Sequence, residues 1–391
     1  MAIHNKLKIF FAFLFLTVLT SFGFSKVVYD DFYGYSLDLV EGFSEIDNEG
    51  DLGSHQFQHD NFPLNFIAKV YDGYGFYETE EAISYALDRL SSSYEVDNFE
   101  WNNTTSCIAS FLFHLDQDYS GWACAAPLGT DTYIVLLTYA PKDISEACND
   151  FMISSLNSLC INEYFYNNPG IVVTYAFPSL GEEEVVIEIN GVPLSFTMDK
   201  VDSEASQFIV DLEFRILTKY ASHPLMYEAW DRYYRTIYRD NYGRISELSR
   251  VIYDTLYPIA EEEREDNPMI QYAQYILSWV QNMDYVRAED KSQSDFTSLP
   301  RILKGIGSDC DSRSLLVSSI LEYSGVDCLL LVYPEYSHAI LACQIDAPGQ
   351  KFINPLNKEE YIMGETTAKV TWGTIAQEQT NKDKCFFVSL P

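Results

Sequence analysis

The chain is poor in basic residues. Its 391 residues include 25 Lys and Arg against 58 Asp and Glu, which gives a formal net charge of −33 at pH 7. Binding to nucleic acid or to an anionic membrane surface depends on clustered positive charge, so this composition argues against both kinds of partner. The excess of negative charge keeps the chain soluble and favours cationic partners.

Motifs that bind zinc are also missing. The sequence has no pair of CxxC motifs and no HExxH motif, so neither a structural zinc site nor a zincin-type site is expected. No other metal and no cofactor is implied. His55 and His59 lie four residues apart in a strand-like stretch, and we interpret them as solvated strand residues rather than as a metal pair.

Long apolar runs are confined to the N-terminus. Residues 1–25 are typical of a secretory signal peptide, with Lys6 and Lys8 before an apolar core at Ile9–Val18 and expected cleavage after Ser25. That core is too short for a convincing membrane span, although a retained N-terminal anchor is the alternative. We therefore expect a periplasmic or secreted protein with no stable membrane insertion after cleavage.

Eight cysteines in an exported chain suggest some disulfides. Four lie before residue 165 and four after residue 305, which fits separate domains. Cys328 and Cys343 are the best-placed late pair. If Tyr333 faces His338 in a hairpin, Cys328 faces Cys343 directly across it. Neighbours across two strands can be bridged or can simply pack together.

The hydrophobic pattern predicts an α+β chain with three parts after residue 25. Residues 26–165 combine strand-like alternation, as at 64–70, with helical stretches. The order suggests an antiparallel sheet covered by two helices, loosely similar to PsbP-like domains. Residues 166–245 are predicted to hold a linking β-hairpin, another strand at Phe208–Leu217 and a helix. Residues 246–391 form the last part.

Two local patterns make specific predictions. Asp143 and Glu146 have the spacing of a capping box that would open the last helix of the first part. The helix at the end of the middle part carries three arginines, Arg232, Arg235 and Arg239. In so acidic a chain we expect them to pair with neighbouring carboxylates, and a basic docking face is the alternative.

A candidate nucleophile lies in the last part. Cys310 stands in Gly307-Ser308-Asp309-Cys310-Asp311, where a Gly-containing turn runs into an apolar-periodic helix. Unpaired N–H groups and the helix dipole favour a thiolate at such an N-terminus. The charges of Asp309 and Asp311 oppose it, so the balance is open. Asp309 is also expected to cap the helix.

Two further residues complete a candidate catalytic set. His338 follows Cys310 by 28 residues, and Glu365 follows His338 by 27. Cysteine, histidine and carboxylate in this order make the usual set of nucleophile, base and orienting group. Asn354 is the alternative third member, since an amide can also orient a histidine.

Four stretches resemble the transglutaminase-like superfamily, which has the papain-like cysteine peptidase fold. They are Trp279–Tyr285, the Cys310 turn, His338-Ala339 and Glu365-Thr366-Thr367, within residues 245–391. The likeness is to an uncharacterised prokaryotic branch. Transglutaminases proper carry Asp as the third member. The resemblance implies a transglutaminase-like domain at 246–391, preceded by the antiparallel-sheet domain.

The resemblance also implies acyl transfer on an amide. Cys310 would attack the carbonyl, His338 would accept its proton and deliver one to the leaving amine, and Glu365 would orient His338. The backbone N–H of Cys310 would contribute to an oxyanion hole. We therefore expect an exported peptidase or amidase acting on a protein or peptide. The alternative is an inactive envelope protein of the same fold that binds proteins or peptides, which a bridged or fully buried Cys310 would favour.

Overall fold

The computed structural model describes residues 27–46, 53–162, 166–288 and 293–390. The predicted signal peptide and its cleavage site lie outside these residues. Within the described ranges, no helix combines the length and the apolar character needed to cross a membrane. The predicted α+β class is confirmed, because helices accompany sheets whose strands all pair antiparallel.

The helices are α1 (Thr79–Arg89), α2 (Asn149–Asn157), α3 (Ile171–Ala176), α4 (Asp202–Thr218), α5 (Met226–Arg244), α6 (Ser246–Glu263), α7 (Pro268–Val280), α8 (Leu299–Leu303) and α9 (Cys310–Tyr323). The first ten strands are β1 (Val28–Asp30), β2 (Tyr35–Leu37), β3 (Phe43–Ile46), β4 (Ser54–His59), β5 (Asn65–Asp72), β6 (Ser93–Trp101), β7 (Thr104–His114), β8 (Asp118–Gly129), β9 (Thr132–Pro141) and β10 (Cys160–Ile161). The remaining strands are β11 (Glu182–Ile189), β12 (Val192–Asp199), β13 (Cys328–Tyr333), β14 (His338–Cys343), β15 (Lys351–Ile353), β16 (Glu360–Gly364) and β17 (Phe386–Ser389).

A seven-stranded sheet forms the first part, in the order β3-β4-β5-β9-β8-β7-β6. Its central strand β9 is buried on both faces. Ile134 and Leu136 join one apolar cluster, while Val135 and Leu137 join the cluster under α1. A strand covered on both sides loses the polar alternation of a half-buried strand, which explains the continuous apolar run in this stretch of sequence.

Close packing between β8 and β9 makes Gly121 indispensable. A Cβ atom built on Gly121 would lie 1.9 Å from the carbonyl oxygen of Thr138. We expect Gly121→Ala to lower the free energy of unfolding by about 3 kcal/mol, because the backbones must separate. The matched control is Gly129→Ala in the same strand, where nothing lies within 4 Å of the added carbon. Urea unfolding of both variants tests this, and equal stabilities would contradict it.

One apolar cluster connects the three predicted parts. It includes Val40 and Phe151 from the first part, Tyr234 from α5, Leu316 from α9 and Val388 from β17. Helices α4, α5 and α6 contribute residues to it along their lengths. The core is therefore continuous across the boundaries drawn at residues 165 and 245.

Buried ion pairs accompany this core. Arg232 bonds Glu213 and lies 3.4 Å from Glu41 through Nε and Oε2. Arg235 bonds Asp38 through two nitrogens, at 2.8 and 2.9 Å, and also bonds Asp231. The predicted pairing of these two arginines with carboxylates is confirmed.

Arg239 does not follow that prediction. Its guanidinium donates to the backbone carbonyls of Ser158, Leu159 and Tyr166. The carbonyls of Ser158 and Leu159 follow the C-terminus of α2, where backbone acceptors lack intrahelical donors. The arginine is held by the negative end of that helix instead of by a carboxylate.

Three further local predictions are wrong. Phe208–Leu217 belongs to helix α4, because the strand-like alternation over 210–216 is overridden by a buried helical face over the longer segment. Asp143 and Glu146 form no capping box, since turns follow β9 and α2 begins only at Asn149. His59 is buried against aromatic rings rather than solvated.

The C-terminal sheet has the order β15-β16-β14-β13-β17, and α9 packs against β13 and β14. In the β13–β14 hairpin Tyr333 faces His338 and Cys328 faces Cys343, as the sequence predicts. Leu330 and Leu341 point to the cluster shared with α9, while Leu331 belongs to the cluster on the other face. This packing brings the N-terminus of α9 to the start of β14.

The facing cysteines of that hairpin can form a disulfide. Both side chains are buried, both are free thiols, and their sulfur atoms are 3.0 Å apart. We expect a glutathione disulfide buffer to oxidise this pair and to raise the free energy of unfolding by about 3 kcal/mol, because the bridge closes a loop of roughly 15 residues and so restricts the unfolded chain. Alkylation before and after reduction, read by peptide mass spectrometry, tests this. Cys107 and Cys124 are the control, since they lie in clusters on opposite faces of their sheet. Full alkylation of Cys328 without reduction would contradict the prediction.

Candidate active site

Cys310 occupies the first position of α9. Asp309 caps the helix as predicted, with its carboxylate accepting from the N–H of Ser312 at 3.0 Å. The turn before it runs beside residues 284–286, with mutual backbone hydrogen bonds of 3.1 Å. A Cβ atom on Gly307 would lie 2.3 Å from the side chain of Val286. A side chain at this position would have to displace Val286, so the turn that places Cys310 favours glycine here.

His338 and Glu365 are brought together by two neighbouring strands. His338 opens β14, Glu365 follows β16, and these strands are paired. The His338 Nε2 atom lies 2.9 Å from Oε2 of Glu365. Gln379 also donates to Oε2, at 3.2 Å, and both the N–H and the hydroxyl of Thr367 donate to Oε1. The carboxylate is therefore held on both oxygens.

These contacts keep Glu365 ionised. Burial by itself would raise its pKa, but the hydrogen bond and charge of His338, together with the bonds from Thr367, lower that pKa to about 2. Asn354, the alternative third member, instead accepts from the N–H of Leu356 at 2.9 Å. The histidine partner in this structure is Glu365.

Cys310 meets the histidine strand through Ala339. The backbone of Ala339, the residue after His338, makes a hydrogen bond to the Cys310 sulfur that favours the thiolate. Arg287 contacts both elements: its Nη2 atom lies 3.8 Å from the Cys310 sulfur and 2.7 Å from the carbonyl oxygen of Ser337. The N-terminus of α9 and the start of β14 thus form one site.

The electrostatic balance at Cys310, which the sequence leaves open, favours the thiol. Burial is the largest cause that raises its pKa far above the usual range, and the charges of Asp311 and Asp309 add to it. The Cys310 thiol also donates a hydrogen bond to Oδ1 of Asp311, with the sulfur 3.0 Å from that oxygen. Cys310 is 0% exposed. At neutral pH the resting cysteine is protonated.

Three residues around the sulfur are not among the sequence-predicted set. Tyr285 makes a side-chain hydrogen bond to Cys310, and burial is the main cause that raises the tyrosine pKa. Tyr234 of α5 donates to the carboxylate of Asp311. Arg287 is the third. Tyr285 belongs to a stretch that the sequence does single out, whereas no local signal points to Tyr234.

Among the described residues, Asp309, Cys310 and Asp311 form a group whose ligand atoms lie within 4.8 Å of one another. Such donors could hold a metal ion. The carboxylate of Asp309 is engaged by Ser312, and that of Asp311 by Tyr234. These hydrogen bonds account for both carboxylates without a metal.

Comparisons with known proteins leave the family open. No family model and no curated protein matches the chain. The PsbP protein CyanoP of Synechocystis sp. PCC 6803 is 9% identical, with a TM-score of 0.30, covering 37% of this chain and 98% of its own. A Pseudomonas aeruginosa protein of unknown function is 4% identical, with a TM-score of 0.20, covering 27% and 88%. A Bacteroides thetaiotaomicron protein is 11% identical, with a TM-score of 0.19, covering 52% and 74%. Similarities this low assign neither a family nor an activity.

Proposed function

We propose that this chain is an exported cysteine enzyme of the transglutaminase-like kind, a peptidase or amidase in which Cys310, His338 and Glu365 are catalytic. The observation that carries the proposal is the 2.9 Å hydrogen bond from His338 to Glu365, located one residue from the contact between Ala339 and the Cys310 sulfur. A carboxylate on Nε2 fixes the imidazole and makes Nδ1 the nitrogen that exchanges a proton.

The reaction starts from a thiol. As the Cys310 sulfur attacks the amide carbonyl, His338 takes the thiol proton, and Glu365 stabilises the imidazolium that forms. The N–H of Cys310 lies in the first turn of α9, where amides have no intrahelical acceptor, and in this mechanism it donates to the developing oxyanion. His338 then protonates the leaving amine. Water attacks the thioester with His338 again as the base, which releases the acid and restores the thiol.

A second candidate function is a non-catalytic module that binds proteins or peptides. The full burial of Cys310 and its raised pKa favour this alternative, because a structural cysteine has both properties. The two functions differ in how the buried thiol reacts.

Alkylation at pH 7 separates the two functions. Cys124 is the internal control, since it is also 0% exposed and burial is the largest cause that raises its pKa. For an enzyme we expect iodoacetamide, a small amide electrophile, to modify Cys310 in the folded protein at least about 10²-fold faster than Cys124, because a positioned base assists proton removal. Peptide mass spectrometry gives both rates from one sample. If Cys310 reacts only on unfolding, together with Cys124, the binding module is the better proposal.

A further inference from the structure

A cavity lies in the N-terminal part, away from the residues of the cysteine site. It has a volume of about 450 Å³ and is lined by β1, β3, β4, the segment after β2 and the start of α5. This volume falls in the range of small-molecule sites. Val28, Leu39, Phe57 and Leu225 are among its apolar walls.

The charged residues that line this cavity are acidic. They are Glu41, Glu45 and Glu228, with Tyr29 and His55 as the other titratable groups and no lysine or arginine among the lining residues. His55 is engaged by Glu45, whose Oε1 lies 2.8 Å from Nδ1. The cavity therefore has apolar walls and a negative potential.

Glu41 is the group best placed to hold a ligand. Its side chain is 3% exposed, and its Oε1 atom is buried with no hydrogen-bond partner among the described residues. The other oxygen is 3.4 Å from Nε of Arg232, which also bonds Glu213. One guanidinium thus serves two buried carboxylates, and the only further donor to the Glu41 carboxylate among the described residues is its own backbone N–H.

The neighbouring buried arginine adds no further donor to the Glu41 carboxylate. Arg235 lies close by, but it is shared in the same way between Asp38 and Asp231. Burial is the largest cause that raises the pKa of Glu41 to about 7. A carboxylate in this environment is stabilised by a cation that supplies the missing donor.

We propose that this cavity binds a small organic cation, a primary ammonium on an apolar chain. The ammonium pairs with the carboxylate of Glu41, which lines the cavity, and the chain packs against the apolar walls. Glu45 and Glu228 strengthen the attraction for positive charge. This site is independent of the function proposed for Cys310.

Titration calorimetry with hexylammonium chloride tests the proposal, and hexanol is the neutral ligand of matched chain length. The buffer contains about 0.15 M salt, so that attraction to the general negative surface is screened. We expect saturable 1:1 binding of hexylammonium, at least about tenfold tighter than that of hexanol, because a buried charge-assisted hydrogen bond is added. Glu41→Gln should weaken hexylammonium binding at least about tenfold and leave hexanol binding unchanged.

Glu262→Gln is the matched control, because Glu262 is an exposed glutamate of α6 that does not line the cavity. It should bind hexylammonium like the unmodified protein. Equal affinity for hexylammonium and hexanol, or no saturable binding, overturns the proposal without reference to any variant. An equal loss in Glu41→Gln and Glu262→Gln overturns it too, since the attraction would then belong to the whole surface.

Discussion

Replacing His338 with alanine should slow the alkylation of Cys310 by iodoacetamide at pH 7 by a factor of about 10² or more. Burial and the neighbouring carboxylates keep the thiol protonated, so reaction depends on a base that removes the proton. A positioned general base contributes roughly 10²–10⁴ in rate. Rates are read at the Cys310 peptide by mass spectrometry, and circular dichroism shows that the variant is folded.

Glu365→Gln extends this test to the orienting carboxylate. Glutamine keeps the size and can still bond His338, but it cannot stabilise an imidazolium by charge, so we expect an intermediate loss of rate. Asn354→Ala is the control, because Asn354 bonds its own turn at Leu356 rather than the histidine. If Asn354→Ala slowed the alkylation of Cys310 as much as Glu365→Gln does, the assignment of Glu365 as the group that orients His338 would be contradicted.

The pH dependence of stability gives a second measurement on Glu365. Its pKa is lowered from 4.5 to about 2 in the folded chain. A lowered carboxyl pKa stabilises the fold fully above the unfolded value, and this contribution is lost as the pH falls toward the folded value. The difference in unfolding free energy between the unmodified protein and Glu365→Gln should therefore be constant above about pH 4.5 and shrink toward pH 2.

The second large effect is expected at Arg232. Replacing it with methionine should lower the free energy of unfolding by about 3–5 kcal/mol, because buried Glu213 and Glu41 would lose their common partner. Methionine keeps much of the side-chain volume, so the loss reports charge rather than a cavity. Urea unfolding followed by circular dichroism measures the change.

Arg250→Met is the matched control for that measurement. Arg250 pairs with Glu247 and Asp254 on the exposed surface of α6, where such pairs contribute less than about 1 kcal/mol. Adding Glu213→Gln to Arg232→Met should restore part of the stability, since one uncompensated carboxylate is removed. If Arg232→Met and Arg250→Met lowered the free energy of unfolding by similar amounts, the buried ion pairs of Arg232 would contribute no more than exposed ones, which contradicts the prediction.

The features that depend on short segments follow from the sequence alone. Asp309 caps α9, because a cap needs only its own side chain and the next turn of helix. The register that sets Cys328 opposite Cys343 follows from the short connection between two apolar strands. The α+β class follows from the alternation of the two periodicities along the chain.

The features that depend on residues far apart in the chain follow only from the tertiary structure. It made Phe208–Leu217 a helix, because burial of a helical face outweighed a short alternation. It selected Glu365 over Asn354 by pairing β14 with β16. It raised the pKa of Cys310 through burial, which no local pattern measures. It also placed Tyr234 on Asp311 and Arg239 on the end of α2. Solvent exclusion and long-range contacts exist only once the helices and sheets are packed, so their energies cannot be read from neighbours in sequence.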